Sequence, residues 1–180
     1  FSRSRGLGDV YKRQMDILFV ASKLADVNAY SAMAKKAGLN PVIMDVKCFT
    51  LKNAHDNTKF KSINKNENSV ILELGLDENY VMIIHNNIPI ITDIFLRQQE
   101  KQHLLDVMNE QIPTEADAVI RRYAMQVKQA ITDYEAKYEN KITSIQVVSS
   151  LKNINFLIPA FKKNLPTTGF VNFDPLQSVS

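Results

Sequence analysis

The chain has 180 residues with 22 basic and 19 acidic side chains, and its single cysteine, Cys48, excludes internal disulfides and thiolate metal clusters and fits a reducing compartment. His55, His85 and His103 lie far apart without ligand-like spacing, and no run of about 18 apolar residues offers a membrane-spanning helix. The formal charge of +3 comes from the opening segment Phe1–Gln14, where Arg3, Arg5, Lys12 and Arg13 face only Asp9; the rest is balanced and offers no basic footprint for nucleic acid.

That opening segment has no apolar periodicity, and Asp9-Val-Tyr-Lys-Arg-Gln14 resembles a translated transposon end from library preparation. It is set apart as non-native, as fusion scars are. Met15 is then expected to be internal, with sequence missing upstream. Residues 15–180 are enough for one domain with a sizeable core.

Asp16–Ala21 is a short apolar run of the kind a buried strand shows. Leu24, Val27, Tyr30, Met33, Ala34 and Ala37 recur at helical spacing. Gly38 is placed to end that helix as its C′ residue, with Leu39 supplying the apolar contact of a Schellman ending. Pro41–Val46 reads as a second strand, which makes the opening strand–helix–strand. Asp45 is placed to cap a helix over 49–59. The polar, Asn-rich stretch 61–68 reads as a linker.

The richest stretch comes next. Val70–Leu74, Tyr80–Ile84 and Ile88–Ile94 are apolar runs broken by Asp77-Glu78-Asn79 and by Asn86-Asn87. They predict a three-strand antiparallel meander, with Asn86-Asn87 as a two-residue hairpin loop because Asn tolerates positive φ. Arg97–Met108 is helix-compatible. Thr114-Glu-Ala-Asp117 resembles a capping box at the head of a long helix to Tyr138, whose apolar stripe is Ile120, Tyr123, Val127, Ile131, Tyr134 and Tyr138. Three tyrosines on one stripe point to packing against a sheet rather than to a binding groove. Thr143–Val148 alternates as a strand, and Ser149-Ser150 opens a helix carrying Leu151, Ile154, Leu157, Ile158 and Phe161, which Pro159 is expected to kink or end. Gly169–Phe173 is a last short strand.

This order of elements resembles the PilM family, the actin-like proteins of type IV pilus assembly, relatives of the cell-division protein FtsA. The likeness rests on Ile17-Leu-Phe-Val-Ala-Ser22 before a helix, on Ala37-Gly-Leu-Asn-Pro-Val-Ile-Met-Asp-Val46, and on Phe49-Thr-Leu51. Ser69–Leu76 with its hairpin, Ile145–Pro159 and Phe173-Asp-Pro175 fall where that family's second lobe places them. The resemblance implies an α/β fold with a mixed sheet: an actin-like, ribonuclease H-like lobe over 69–180, after part of a small inserted subdomain and an interdomain helix over 15–60. The space between Gln99 and Thr114 is short for the helical subdomain the superfamily carries there.

The superfamily binds ATP through glycine-bearing turns whose backbone N–H groups reach the phosphates. Here the phosphate turn corresponds to Glu73-Leu-Gly75-Leu-Asp-Glu-Asn79, in which Glu73 replaces the usual Asp and Asp77 and Glu78 oppose an anion. At ~4 Å each such contact costs about 1 kcal/mol in water and several times that in a cleft. The adenosine turn corresponds to Ser149-Ser150-Leu151, with side chains where glycines are usual. Glu73, Gly75, Ser149 and Ser150 are thus the candidate nucleotide-turn positions, all degenerate, with no catalytic residue, no metal ligand and no required cofactor expected, and ATP with magnesium left to the intact protein. The resemblance implies a cytoplasmic scaffold that holds the cytoplasmic tail of a one-span, PilN-like inner-membrane pilus protein without entering the membrane. The alternatives are a nucleotide-binding ATPase or kinase of the same superfamily, and an FtsA-like division protein.

Overall fold

The computed structural model describes residues 19–59, 69–75, 78–108, 116–149 and 157–176. The elements are α1 (Leu24–Lys36), α2 (Lys47–Lys59), β1 (Ser69–Leu74), β2 (Asn79–His85), β3 (Ile88–Asp93), α3 (Gln98–Met108), α4 (Ala116–Tyr138), β4 (Ser144–Ser149), α5 (Leu157–Asn164) and β5 (Gly169–Asn172). The chain forms two compact units, residues 1–45 and 46–180.

In the first unit, α1 ends as the Gly38-Leu39 pair predicts. Gly38 N–H donates to the Lys35 carbonyl at 3.0 Å and Leu39 N–H to the Ala34 carbonyl at 3.0 Å, with Gly38 at φ +78°. These are the two crossed bonds of a Schellman motif, and the positive φ is why glycine stands there. Among the described residues the flanking strands do not form: residues 19–21 and 41–46 have no ladder, and Val42 and Ile43 are exposed. A strand is defined by a neighbour to bond, and apolar character alone does not supply one. Residues 16–18 of the first expected strand lie outside the described residues.

In the second unit, five strands form a mixed sheet in the order β3-β2-β1-β4-β5. β1–β2 and β2–β3 pair antiparallel, while β1–β4 and β4–β5 pair parallel. The meander therefore occurs as the sequence predicts. Asn86 and Asn87 take φ +49° and +66° in the two-residue loop, the left-handed pair that matches a hairpin's twist.

β1 and β2 are buried along nearly their whole length, because the sheet is covered on both faces. On one face Val70, Leu72, Leu74, Val81 and Ile83 meet α3, α4 and α5, with Ile120, Tyr123, Val127, Ile131 and Tyr134 supplying the α4 stripe. On the other, Ile71, Tyr80, Met82, Ile84 and Val148 pack under Leu51 and Cys48 of α2. The tyrosine stripe is core, as expected: Tyr123 packs edge-on to Phe161 at 5.3 Å, and Tyr134 bonds His85 Nδ1 at 2.8 Å.

Helix starts differ in detail from the sequence reading. Val46, not Asp45, holds the cap position of α2, since its carbonyl accepts from Phe49 and Thr50 N–H. At α3 the Glu100 carboxylate accepts from the Arg97 N–H at 2.7 Å and pairs with Arg122, a capping arrangement the sequence reading did not single out. Pro159 does not end α5, which runs from Leu157 to Asn164. The linker 61–68, the capping box at Thr114 and the helix start at Ser150 to Ile154 lie outside the described residues.

Candidate functional site

Parallel pairing of β1 with β4 brings the candidate positions to one end of the sheet. Leu74 is the register partner of Ser149, and Ser149 Oγ donates to the Leu74 carbonyl at 2.6 Å. Glu73, Gly75 and Ser149 thereby lie at the same end of the sheet. Ser150 lies outside the described residues, as do Leu76 and Asp77.

Glu73 is completely buried on the α2 face of the central strand. A carboxylate there requires a counter-charge, and α2 supplies it from its first residue: Lys47 Nζ lies 2.5 Å from Glu73 Oε1 and 3.6 Å from Glu78 Oε2. Burial pushes the Glu73 carboxyl above its usual range, Lys47 pulls it back only in part, and Glu78 adds to the rise. Burial alone would lower the Lys47 ammonium, but the hydrogen bond and charge of Glu73 outweigh it and raise the group above the ordinary lysine value. Glu78, expected to repel an anion, is thus half of an ion pair.

The turn after β1 is closed by its own side chain. Asn79 Oδ1 accepts the Gly75 N–H at 3.2 Å, and Asn79 Nδ2 donates to the Gly75 carbonyl at 2.9 Å. Tyr123 Oη, buried under the same strand end, donates to the Glu73 carbonyl and to Asn79 Oδ1, both at 3.3 Å. The Gly75 N–H is therefore engaged internally.

Beside this turn lies a cleft of about 480 Å³, walled by Cys48, Tyr80, Ile91 and Phe95 and edged by Lys47 and Asp93. Among the described residues no group of three or more His, Cys, Asp or Glu side chains is arranged to hold a metal ion, and no helix is long and apolar enough to cross a membrane. Lys47, Asn79 and Tyr123 are the site residues that sequence reasoning missed. Asn79 was legible in principle, as an Asn four residues beyond a turn glycine. Lys47 was not, because its partner is 26 positions away and only the packing of α2 on the sheet brings them together.

The sequence matches the family described as type IV pilus assembly protein PilM over residues 8–143, a match that begins inside the Phe1–Gln14 segment. No curated protein sequence matches. Among solved structures, a PilM–PilN type IV pilus biogenesis complex aligns with TM-score 0.62 at 11% identity over 84% of this chain and 48% of that one. The ethanolamine utilization protein EutJ from Carboxydothermus hydrogenoformans aligns with TM-score 0.51 at 16% identity over 87% of this chain and 59% of that one. The chain thus spans about half the length of the chain it aligns with in that complex. At these identities the alignments speak for fold, and the fold is that of actin-like proteins. Sequence match and fold agree, and the chain belongs to the PilM family of type IV pilus assembly proteins.

Proposed function

We propose that the intact protein is a cytoplasmic scaffold of the type IV pilus assembly platform, recruited to the inner membrane by the cytoplasmic tail of a PilN-like, one-span partner, and that its nucleotide turn no longer serves as one. Family membership supports the scaffold role, and the solved structure that aligns is itself a PilM–PilN complex.

The observation that carries the second half is the bonding of Gly75. A phosphate at this turn must displace the Asn79 amide from both the N–H and the carbonyl of Gly75, next to the Glu78 carboxylate. Breaking internal bonds of a buried turn costs about 1 kcal/mol each before any binding is gained. Lys47, a cation beside this turn, is already committed to Glu73 and Glu78. An ATPase would need a phosphate-accepting turn and a base aimed at it, and Glu73 is engaged as an ion-pair partner instead.

Two measurements test this. Titration of the full-length protein with ATP and magnesium is expected to give no binding at micromolar concentrations, and micromolar affinity would overturn the degenerate-turn reading. Pull-down with the cytoplasmic tail of the one-span pilus protein encoded beside the gene is expected to retain the full-length protein. Failure to do so would count against the scaffold.

A further inference from the structure

Among the described residues β3 is an outer strand, with β2 on one side and no strand on the other. Its ladder shows which backbone groups face outwards. His85 and Ile88 flank the two-residue loop, and Ile94 N–H donates to the Asn79 carbonyl at 2.8 Å. Hydrogen-bonded and non-hydrogen-bonded residues alternate along an antiparallel pair. From either end the phase is the same: Ile88, Ile90, Thr92 and Ile94 bond to β2, while Pro89, Ile91, Asp93 and Phe95 turn their backbone away.

Two of those four are already accounted for. Pro89 has no N–H to offer. Phe95 is paired by Gln126 of α4, whose Oε1 accepts its N–H at 3.0 Å and whose Nε2 donates to its carbonyl at 3.1 Å, the two bonds a neighbouring strand makes. Among the described residues nothing bonds the outward N–H groups of Ile91 and Asp93. These same two residues line the cleft, with Phe95 and Tyr80. Tyr80 is 6% exposed, and its hydroxyl has no hydrogen-bond partner among the described residues. A buried hydroxyl without a partner costs about 1–3 kcal/mol, which a group brought from outside can recover.

We propose that β3 is a docking edge for an extended segment of a partner protein, which adds as a sixth strand along Pro89–Asp93 and lowers one side chain into the cleft. The free edge selects an extended backbone over a helix or a small molecule. Ile91 and Asp93 are the register partners of Met82 and Tyr80, so they lie on the α2 face, and alternate residues of the added strand lie there too. The cleft's charged lining is balanced, Lys47 and Lys101 against Glu78 and Asp93. The anchor is therefore an uncharged residue with an apolar body and a polar tip that meets Tyr80 Oη, such as tyrosine. A second copy of this chain fits less well. Symmetric pairing about Ile91 sets Pro89 against Asp93 twice and loses a bond each time, whereas a foreign strand meets Pro89 once.

The probe is a fluorescein-labelled Lys-Thr-Val-Tyr-Val-Thr-Lys peptide, titrated against the full chain by anisotropy. Saturable binding is expected, weakened about tenfold or more by Ile91→Pro, which removes an outward donor without touching the β2 ladder, and retained by Ile91→Val. The same peptide N-methylated at alternate residues is expected not to bind, a control that leaves the protein intact. The proposal is overturned by no saturation up to about 1 mM peptide, or by equal binding of the N-methylated peptide. It is also overturned if sedimentation shows a dimer that Ile91→Pro dissolves, which assigns the edge to a second copy.

Discussion

Helices α1 and α4 carry the same kind of sequence signal, and the fold treats them differently. Both have apolar residues at three- and four-residue steps. In α4 that stripe disappears into the core, with Tyr123 and Val127 at 0% exposure. In α1 no residue is buried, and Tyr30 and Met33 stand 63% and 65% exposed. Periodicity states that a helix has an apolar face, and the rest of the molecule decides what that face meets. α1 is held by local bonds, above all its Schellman ending, whereas α4 is held by the sheet.

The largest test of that contrast is Tyr123→Ala. It removes a fully buried ring from between β1 and α5 together with its two hydrogen bonds, and a loss of about 4 kcal/mol is expected in urea unfolding. Next comes Lys47→Met, which strands the buried Glu73 carboxylate and is expected to cost about 3 kcal/mol, most of it recovered when Glu73→Gln is added. A full loss that Glu73→Gln does not relieve would show that Lys47 acts through something other than this pair.

The same pair predicts a pH response. The Lys47 pKa is raised in the folded state, so its contribution is fully present below the ordinary lysine value of 10.5 and is lost as pH rises through the folded value. At the other end, the Ile142 N–H and then Lys141 hold the Glu135 carboxyl below its usual value. Its contribution is present above about 4.5 and is lost as pH falls through the folded value. Urea midpoints of wild type, Lys47→Met and Glu135→Gln across both ranges check the two signs.

Smaller effects belong to α1. Gly38→Ala meets no atom within 4 Å and is penalised only for its φ of +78°, about 1 kcal/mol, read as faster amide exchange at the end of α1. Met33→Ser is expected to change unfolding by less than ~0.5 kcal/mol, against several for any deep position of α4. A large loss from Met33→Ser would show that the α1 face is covered in solution.

Much of this was legible in the chain. The meander, the Asn86-Asn87 loop, the α4 stripe and the Gly38 ending each rest on contacts between residues a few positions apart, or on a period of two or 3.6, and sequence carries such information directly. The strands expected at 16–21 and 41–46 show the limit, since an apolar run does not reveal whether a ladder partner exists. At the candidate site, Glu73, Gly75 and Ser149 were picked out by resemblance to the superfamily's nucleotide turns, and parallel pairing of β1 with β4 sets them at one end of the sheet. Their chemistry was not legible. Glu73 looks like a phosphate-turn carboxylate in sequence, and only the packing of α2 on the sheet makes it the buried partner of Lys47. Gly75 looks available until the Asn79 side chain is seen to occupy it. Sequence by itself determined the helices and the meander and their order, because local sterics and periodicity settle those, but not whether an isolated apolar run finds a ladder partner. Tertiary structure alone decided which charges meet and which backbone donors remain for a ligand, because both depend on groups that folding brings together from distant positions.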